Sequence, residues 1–198
     1  MTIGHRADLC QRKDLIPTIS LCRKWSRSSA GARQLSWDTQ SMPTARRGRS
    51  SIDIAAPPGL VYDLIADVTR MGEWSPECYR CEWLDGATAA APGARFRGYN
   101  RRGRLRWRRT AVVGTADRGR EFSFATVNEG ANREETRWRY TMEPSSSGTL
   151  LTESFQFLWC SVSNRLAEAL LPRGRQVNRG IEETLRRIKQ AAEHPPDR

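Results

Sequence analysis

Two cysteines three residues apart form the clearest chemical motif in this sequence. Cys78 and Cys81 make a CxxC pair, which is typical either of half a zinc site or of a redox-active dithiol. A zinc site needs a second close pair, and neither Cys10 and Cys22 nor the single Cys160 supplies one. A redox pair usually lies between a strand and a helix, whereas this pair begins a predicted strand. We therefore predict a structural role for the pair, with no metal and no cofactor.

Polar residues also occupy strand positions whose side chains point to the same face as neighbouring aromatic residues. Arg109 follows Trp107 by two residues, Glu153 precedes Phe155 by two, and Tyr140 alternates in the same way. If these faces point inward, the polar groups are buried and must be paired. An ion pair between Arg109 and Glu153 would satisfy both. The alternative is a bulge that shifts the alternation and leaves the side chains in solvent.

The remaining chemistry-bearing residues narrow the enzymatic possibilities. The two histidines, His5 and His194, lie in segments expected to be frayed, which argues against a histidine general base. The sequence contains no nucleophile elbow, phosphate-binding loop or dinucleotide fingerprint. In an enzyme, the base and donor roles would therefore fall to Arg109, Tyr140 and Glu153.

These residues must be positioned by a combination of helices and antiparallel strands. Residues 51–55 alternate as a strand, and an apolar stripe over 60–68 predicts a helix with prolines in its first turn. A short helix or turn follows at 71–76. Six alternating runs separated by turn residues predict an antiparallel meander. These runs cover residues 79–84, 94–100, 104–114, 121–127, 133–143 and 149–159.

The C-terminal part of the chain is predicted to be helical from 161 to 193. It is interrupted near Pro172, and its second piece carries apolar residues at helical spacing. The order β-α-α-β6-α predicts an α+β fold. In it, a curved antiparallel sheet wraps around a long C-terminal helix.

Composition and charge limit the classes of protein to which this chain can belong. The 198 residues are 38% hydrophobic and 28% charged, with a net charge of +11, and no stretch is apolar enough to span a membrane. Residues 1–49 hold ten basic and three acidic residues and predict a disordered leader. We expect one folded domain at 50–193 and a tail at 194–198. The odd number of cysteines and the lack of a secretion signal predict a cytoplasmic protein. A basic excess alone indicates only non-specific attraction to anions, so we expect no specific nucleic-acid partner.

Several segments carry a resemblance to a known superfamily. They are residues 51–57, 61–67, 71–77, 93–98 and 149–154. With them, the chain from about 50 to 193 resembles the helix-grip fold of the START, polyketide-cyclase and birch-pollen-allergen superfamily. It is most similar to the bacterial polyketide cyclase/dehydrase-like branch.

The resemblance implies a cavity between the sheet and the C-terminal helix, although an ordinary filled core is the alternative. The expected function is binding or transport of a small-to-medium hydrophobic ligand such as a lipid, polyketide or isoprenoid. One alternative is a polyketide cyclase or aromatase on the same scaffold, and a second is a non-catalytic protein-interaction module. The expected ligand-binding residues are Trp74, Phe96, Trp107, Arg109, Phe122, Phe124, Trp138, Tyr140, Glu153, Phe155 and Phe157.

Overall fold

The computed structural model of the protein describes residues 47–128, 130, 133–158 and 173–194. In chain order its elements are β1 (Arg47–Ile54), α1 (Pro58–Ala66), a 3₁₀ turn (Val68–Arg70), α2 (Met71–Trp74), β2 (Cys78–Trp83), β3 (Arg95–Arg102), β4 (Leu105–Asp117), β5 (Glu121–Asn128), β6 (Arg133–Ser145), β7 (Gly148–Phe157) and α3 (Arg173–Glu193). The strands form one antiparallel sheet in the order β1-β7-β6-β5-β4-β3-β2. The sheet curls into a half-barrel with the C-terminal helix against it, so the predicted α+β helix-grip fold is confirmed.

All six strands of the predicted meander are present, and each end lies within three residues of its predicted position. Each neighbouring pair from β2 to β7 is antiparallel. Hairpins of this kind need only short turns, and the turn residues were visible in the sequence. Local alternation and turn chemistry were therefore sufficient to find the meander.

The first strand begins earlier than the alternation indicated. β1 starts at Arg47, where Arg47, Gly48 and Arg49 pair with Gln156, Phe155 and Ser154 of β7. The sheet thus includes three residues that had been assigned to the leader. Two arginines and a glycine carry no apolar signal, and only their pairing with β7 makes them a strand. The rest of the predicted leader, Trp159, the first part of the predicted C-terminal helix and residues 195–198 lie outside the described part of the chain.

The core forms where α3 packs on the sheet beside α1. The predicted apolar stripe of α3 faces inward, with Ile181, Leu185 and Ile188 almost fully buried. They belong to one cluster with Ile54 of β1 and Leu151 of β7. Burying each such side chain stabilises the fold by about 1.5–3 kcal/mol.

The outward face of α3 is charged, with Glu183 paired to both Arg186 and Arg187. This mixed polar face suits a helix that covers a sheet on one side and meets solvent on the other. Among the described helices, none is both long enough and apolar enough to cross a membrane.

Candidate functional site

A row of aromatic rings crosses the concave face of the sheet. From β2 to β7 it passes through Trp83, Phe96, Phe124, Trp138 and Phe155, and the centroids of successive rings lie 5.8, 5.1, 6.4 and 5.6 Å apart. Strand register places these residues on one face, because Trp83 is opposite Phe96, Phe124 opposite Trp138, and Trp138 opposite Phe155. A row of aromatic side chains therefore runs across the concave surface.

The fourth strand keeps the row continuous by contributing a small residue. Ala111 of β4 lies opposite Phe96 of β3 and is itself buried. Phe96 and Phe124 belong to strands on either side of β4, yet their ring centroids are only 5.1 Å apart in an edge-to-face arrangement. A larger side chain at position 111 would separate these rings, so the shape of this surface depends on the alanine.

The predicted lining residues are mostly brought together. The concave positions of β3 to β7 include Phe96, Phe122, Phe124, Trp138, Tyr140, Glu153, Phe155 and Phe157. Trp74 is buried in α2. Trp107 lies opposite Asn100 near the far end of β4 and is half-buried. The end of the face beside α1 is tightly packed, whereas Trp138 and Phe157 are only partly buried.

A carboxyl group and a phenol form a hydrogen-bonded pair within this apolar surface. The hydroxyl of Tyr140 donates to Oε1 of Glu153 at 2.8 Å, and the two residues are directly opposite each other on β6 and β7. Glu153 is 3% exposed. Burial raises its pKa to about 8, although the hydrogen bond from Tyr140 opposes the shift. Glu153 is therefore mainly a neutral acid at pH 7, and burial also raises the pKa of Tyr140 well above its usual range.

Two buried side-chain oxygen atoms have no hydrogen-bond partner among the described residues. One is Oε2 of Glu153 and the other is Oδ1 of Asn178 on α3. Asn178 packs on Gly48 and Phe155, since a Cβ built on Gly48 would meet the Asn178 side chain and the Phe155 ring. Phe155 is two residues from Glu153 on the same face. Because buried polar atoms are usually paired, each of these oxygens is a candidate for a hydrogen bond to a ligand.

The expected ion pair between Arg109 and Glu153 does not form. Arg109 is half-exposed, and its Nε lies 3.3 Å from Oε2 of Glu135 at the end of the sheet. Arg109 is opposite Gly98 on β3, two residues from Ala111 towards the hairpin end of β4. The alternation correctly placed Arg109 and Glu153 on the same face, but their strands are separated by β5 and β6. The long arginine side chain reaches the rim instead.

The CxxC pair also belongs to the concave side, which the sequence did not indicate. In a regular strand, residues three apart point to opposite faces. A register shift between Cys78 and Arg80 turns both cysteines inward, where their Sγ atoms lie 3.4 Å apart beside Gly98. Both are free, buried thiols. The hydrogen bond between them lowers the pKa of Cys78 and, together with burial, raises that of Cys81.

A model of one protein family, described as polyketide cyclase/dehydrase and lipid transport, matches residues 45–193. The chain belongs to this polyketide cyclase/dehydrase and lipid transport family. The match begins five residues before the predicted boundary at 50, in agreement with the early start of β1. No curated protein matches the sequence significantly.

One solved structure of a similar protein agrees with this family assignment, and two more distant ones share the fold. The chain is 32% identical to the polyketide cyclase-like protein Cgl2372 of Corynebacterium glutamicum, with 77% of this chain and 97% of that one covered and a TM-score of 0.51. TTHA0849 of Thermus thermophilus shares the fold at 17% identity, with coverage of 76% and 99% and a TM-score of 0.58. DynU16, a protein of the dynemicin biosynthetic locus, shares it at 15% identity, with coverage of 75% and 48% and a TM-score of 0.51.

Within this family member, sequence reasoning missed three residues of the concave side: Cys78, Cys81 and Asn178. The bulge that turns the cysteines inward has no signature in the sequence. Asn178 lies one residue after Val177, the first position of the predicted apolar stripe of α3. A polar residue at the edge of such a stripe could have been noted, but its contact with Gly48 depends on how α3 packs.

Proposed function

We propose that this protein binds or transports a small-to-medium hydrophobic ligand on the concave face of the sheet, beneath the C-terminal helix. The observation that carries the proposal is the aromatic row, in which Trp138 is only partly buried. Ligand sites in proteins combine such apolar walls with a few polar groups that fix orientation. The family description, which includes lipid transport, supports the same class of ligand.

The polar groups of the site favour a ligand with one oxygen-bearing end. The neutral acid of Glu153 can donate from Oε2 to a carbonyl or hydroxyl oxygen, and Tyr140 holds the other carboxyl oxygen in place. An amide hydrogen-bonds through both its oxygen and its nitrogen, so Asn178 can complement a hydroxyl or a carbonyl. A fatty acyl chain, a polyketide or an isoprenoid with a terminal oxygen meets these requirements. The free thiols of Cys78 and Cys81 support a cytoplasmic, reducing location.

Truncating Trp138, a partly buried aromatic residue of the row, tests ligand binding. We expect native mass spectrometry of the full chain to reveal a bound molecule that organic solvent extracts. In Trp138→Ala, affinity for that molecule should fall by at least about tenfold, because burying an aromatic ring against the ligand contributes on the order of 2 kcal/mol. A matched control is Tyr79→Ala, since Tyr79 is an exposed aromatic residue. A protein that stays free of ligand against a panel of lipids and polyketides would refute the proposal.

A second candidate function is a polyketide cyclase or aromatase, and the Tyr140–Glu153 pair is the observation that favours it. A carboxyl group with a pKa of about 8 can donate and accept a proton near neutral pH. Cyclisation requires removal of a proton from a carbon next to a substrate carbonyl group. It also requires protonation of the oxygen of the attacked carbonyl group, which can then leave as water.

The Glu153→Gln variant separates the two functions. In an enzyme, turnover of a poly-β-ketone substrate should fall by at least about 100-fold, because the amide cannot exchange the proton. Ligand affinity should change little, because the amide keeps an oxygen for the Tyr140 hydroxyl. Equal turnover in both proteins would exclude Glu153 as the proton-transfer group. Absence of turnover in the unmodified protein, with ligand binding retained, would leave binding or transport as the function.

A further inference from the structure

The hairpin between β3 and β4 is the most basic part of the described surface. From Asn100 to Arg109 the chain has six arginines and no acidic residue. Each of these arginines is exposed. A two-stranded hairpin presents its side chains on both faces, so the positive charge surrounds its free end.

Three of these guanidinium groups have no counter-charge among the described residues. Arg109 is paired with Glu135 and Arg102 donates to Gln176. By contrast, Arg104, Arg106 and Arg108 have no carboxylate partner within the described part of the chain. Arg106 and Arg108 lie on the outer face of β4, and Arg104 precedes them in the turn. Exposed arginines are normally interspersed with acidic residues, so an unpaired group of this density fits an anionic partner.

A polar pocket at the base of the hairpin has the composition of a phosphate site. Arg97, Arg108 and Arg109 line it, and its volume is about 220 Å³. Asn128 and Glu135 are also in its wall. Guanidinium groups bind phosphate oxygens through paired N–H donors, and three arginines line this pocket. The one carboxylate, Glu135, is already engaged by Arg109.

An apolar residue at the tip distinguishes between the anionic surfaces that could bind here. Leu105, next to the turn, is 62% exposed. An aliphatic side chain can enter the interfacial region of a bilayer but cannot stack on a nucleic-acid base. The nearby aromatic rings of Tyr79 and Tyr99 are covered by Arg101 and Arg80, so those ring faces are occupied.

We propose that the β3–β4 hairpin docks this protein on an anionic phospholipid bilayer. In the docked state Leu105 enters the interface and a lipid phosphate group occupies the pocket of Arg97, Arg108 and Arg109. Docking rests on the proposed ligand-binding function in one respect, because a protein that binds a hydrophobic ligand can collect that ligand from a bilayer. Leu105 and Trp107 lie at positions of β4 that point to the concave side, as Ala111 does. The docked hairpin therefore adjoins the aromatic face.

Vesicle partitioning of the full chain tests the docking surface. The protein is mixed with vesicles of phosphatidylcholine alone or with added phosphatidylglycerol, and bound protein is measured by co-sedimentation. The test variant is Arg104→Gln/Arg106→Gln/Arg108→Gln. The matched control is Arg179→Gln/Arg186→Gln/Arg187→Gln, which removes the same charge from the exposed face of α3. Both variants retain the basic residues of segment 1–46, so their contribution cancels in the comparison.

We expect the full chain to bind only the anionic vesicles at about 0.1 M salt and to dissociate at about 0.5 M salt. The hairpin variant should partition on the order of 100-fold more weakly, at about fivefold per arginine, and the α3 variant less than fivefold more weakly. Leu105→Ser should weaken binding to the anionic vesicles without changing its salt dependence. Equal losses in the two arginine variants would overturn the proposal.

Two further outcomes would also overturn it. One is hairpin-dependent binding to double-stranded DNA without vesicle binding, which would make a nucleic acid the partner. The other is binding of inorganic phosphate in the pocket with no affinity for vesicles, which would make a free phosphate compound the ligand. Failure of docking leaves the ligand-extraction result intact, and an empty concave face leaves the vesicle result intact, so the two proposals fail separately.

Discussion

The change that Glu153→Gln makes in the free energy of unfolding is expected to be more stabilising at pH 8 than at pH 4.5, by on the order of 4 kcal/mol. The pKa of Glu153 is about 8 in the folded protein, against an ordinary value of 4.5, because the carboxyl is buried. Between these values the folded state binds more protons than the unfolded state. The contribution of Glu153 to stability is therefore lost progressively as the pH rises from about 4.5 to about 8. Glutamine does not titrate, and its amide oxygen keeps the hydrogen bond from Tyr140.

The measurement is the free energy of unfolding in urea for both proteins between about pH 4.5 and pH 8. Subtracting the two curves removes the contributions of other titrating groups, including Asp63 and Glu73, whose pKa values are lowered by hydrogen bonds from Arg118 and Arg70. Glu143→Gln is the control, because Glu143 is an exposed residue on β6. Parallel curves for Glu153→Gln and the unmodified protein would show that Glu153 ionises at its ordinary pKa.

Gly148→Ala is expected to destabilise the protein by at least about 3 kcal/mol. Gly148 begins β7 with φ of +139°, a conformation that residues with a side chain rarely adopt. A Cβ there would lie 2.6 Å from the Ile54 carbonyl oxygen and 2.8 Å from the Ala56 backbone nitrogen. Backbone atoms cannot move aside as a flexible side chain would, so the ends of β1 and β7 would have to separate. Thermal or urea unfolding of the purified variant measures the loss.

The matched control is Gly86→Ala. Gly86 also has a positive φ, of +78°, but a Cβ there has no atom within 4 Å. It should cost about 1 kcal/mol, which is the backbone strain alone. The difference between the two variants isolates the close approach of the chain at Gly148. If both alanines cost the same, β1 and β7 are not packed as tightly at this end as described.

The cost of burying Glu153 has a bearing on function. A glutamine or an apolar residue at this position would avoid the pH-dependent loss of stability. Groups with strongly perturbed pKa values are found disproportionately at functional sites. Glu153 combines such a pKa with an unpartnered Oε2 and an aromatic neighbour, Phe155. A ligand that hydrogen-bonds to Oε2 would recover part of this cost on binding.

Much of the fold follows from short-range patterns that the sequence displays directly. The alternation in β5 to β7 identified Phe122, Phe124, Trp138 and Phe155 as inward-facing, and the structure places them on one face. The helical spacing of α3 identified Ile181 and its neighbours as the buried stripe. These features depend on the two-residue period of a strand and the 3.6-residue period of a helix, so they can be read without knowing the tertiary fold.

The partners of the polar residues were decided only by the tertiary structure. Arg109 and Glu153 share a face, yet Arg109 reaches Glu135 at the rim, because two strands separate β4 from β7. Cys78 and Cys81 share a face because of a register shift in β2. Asn178 meets Gly48 because α3 crosses β1 there. Sequence periodicity determines which way a side chain points, whereas its partner depends on strand order, bulges and helix packing, which bring together residues far apart in the chain.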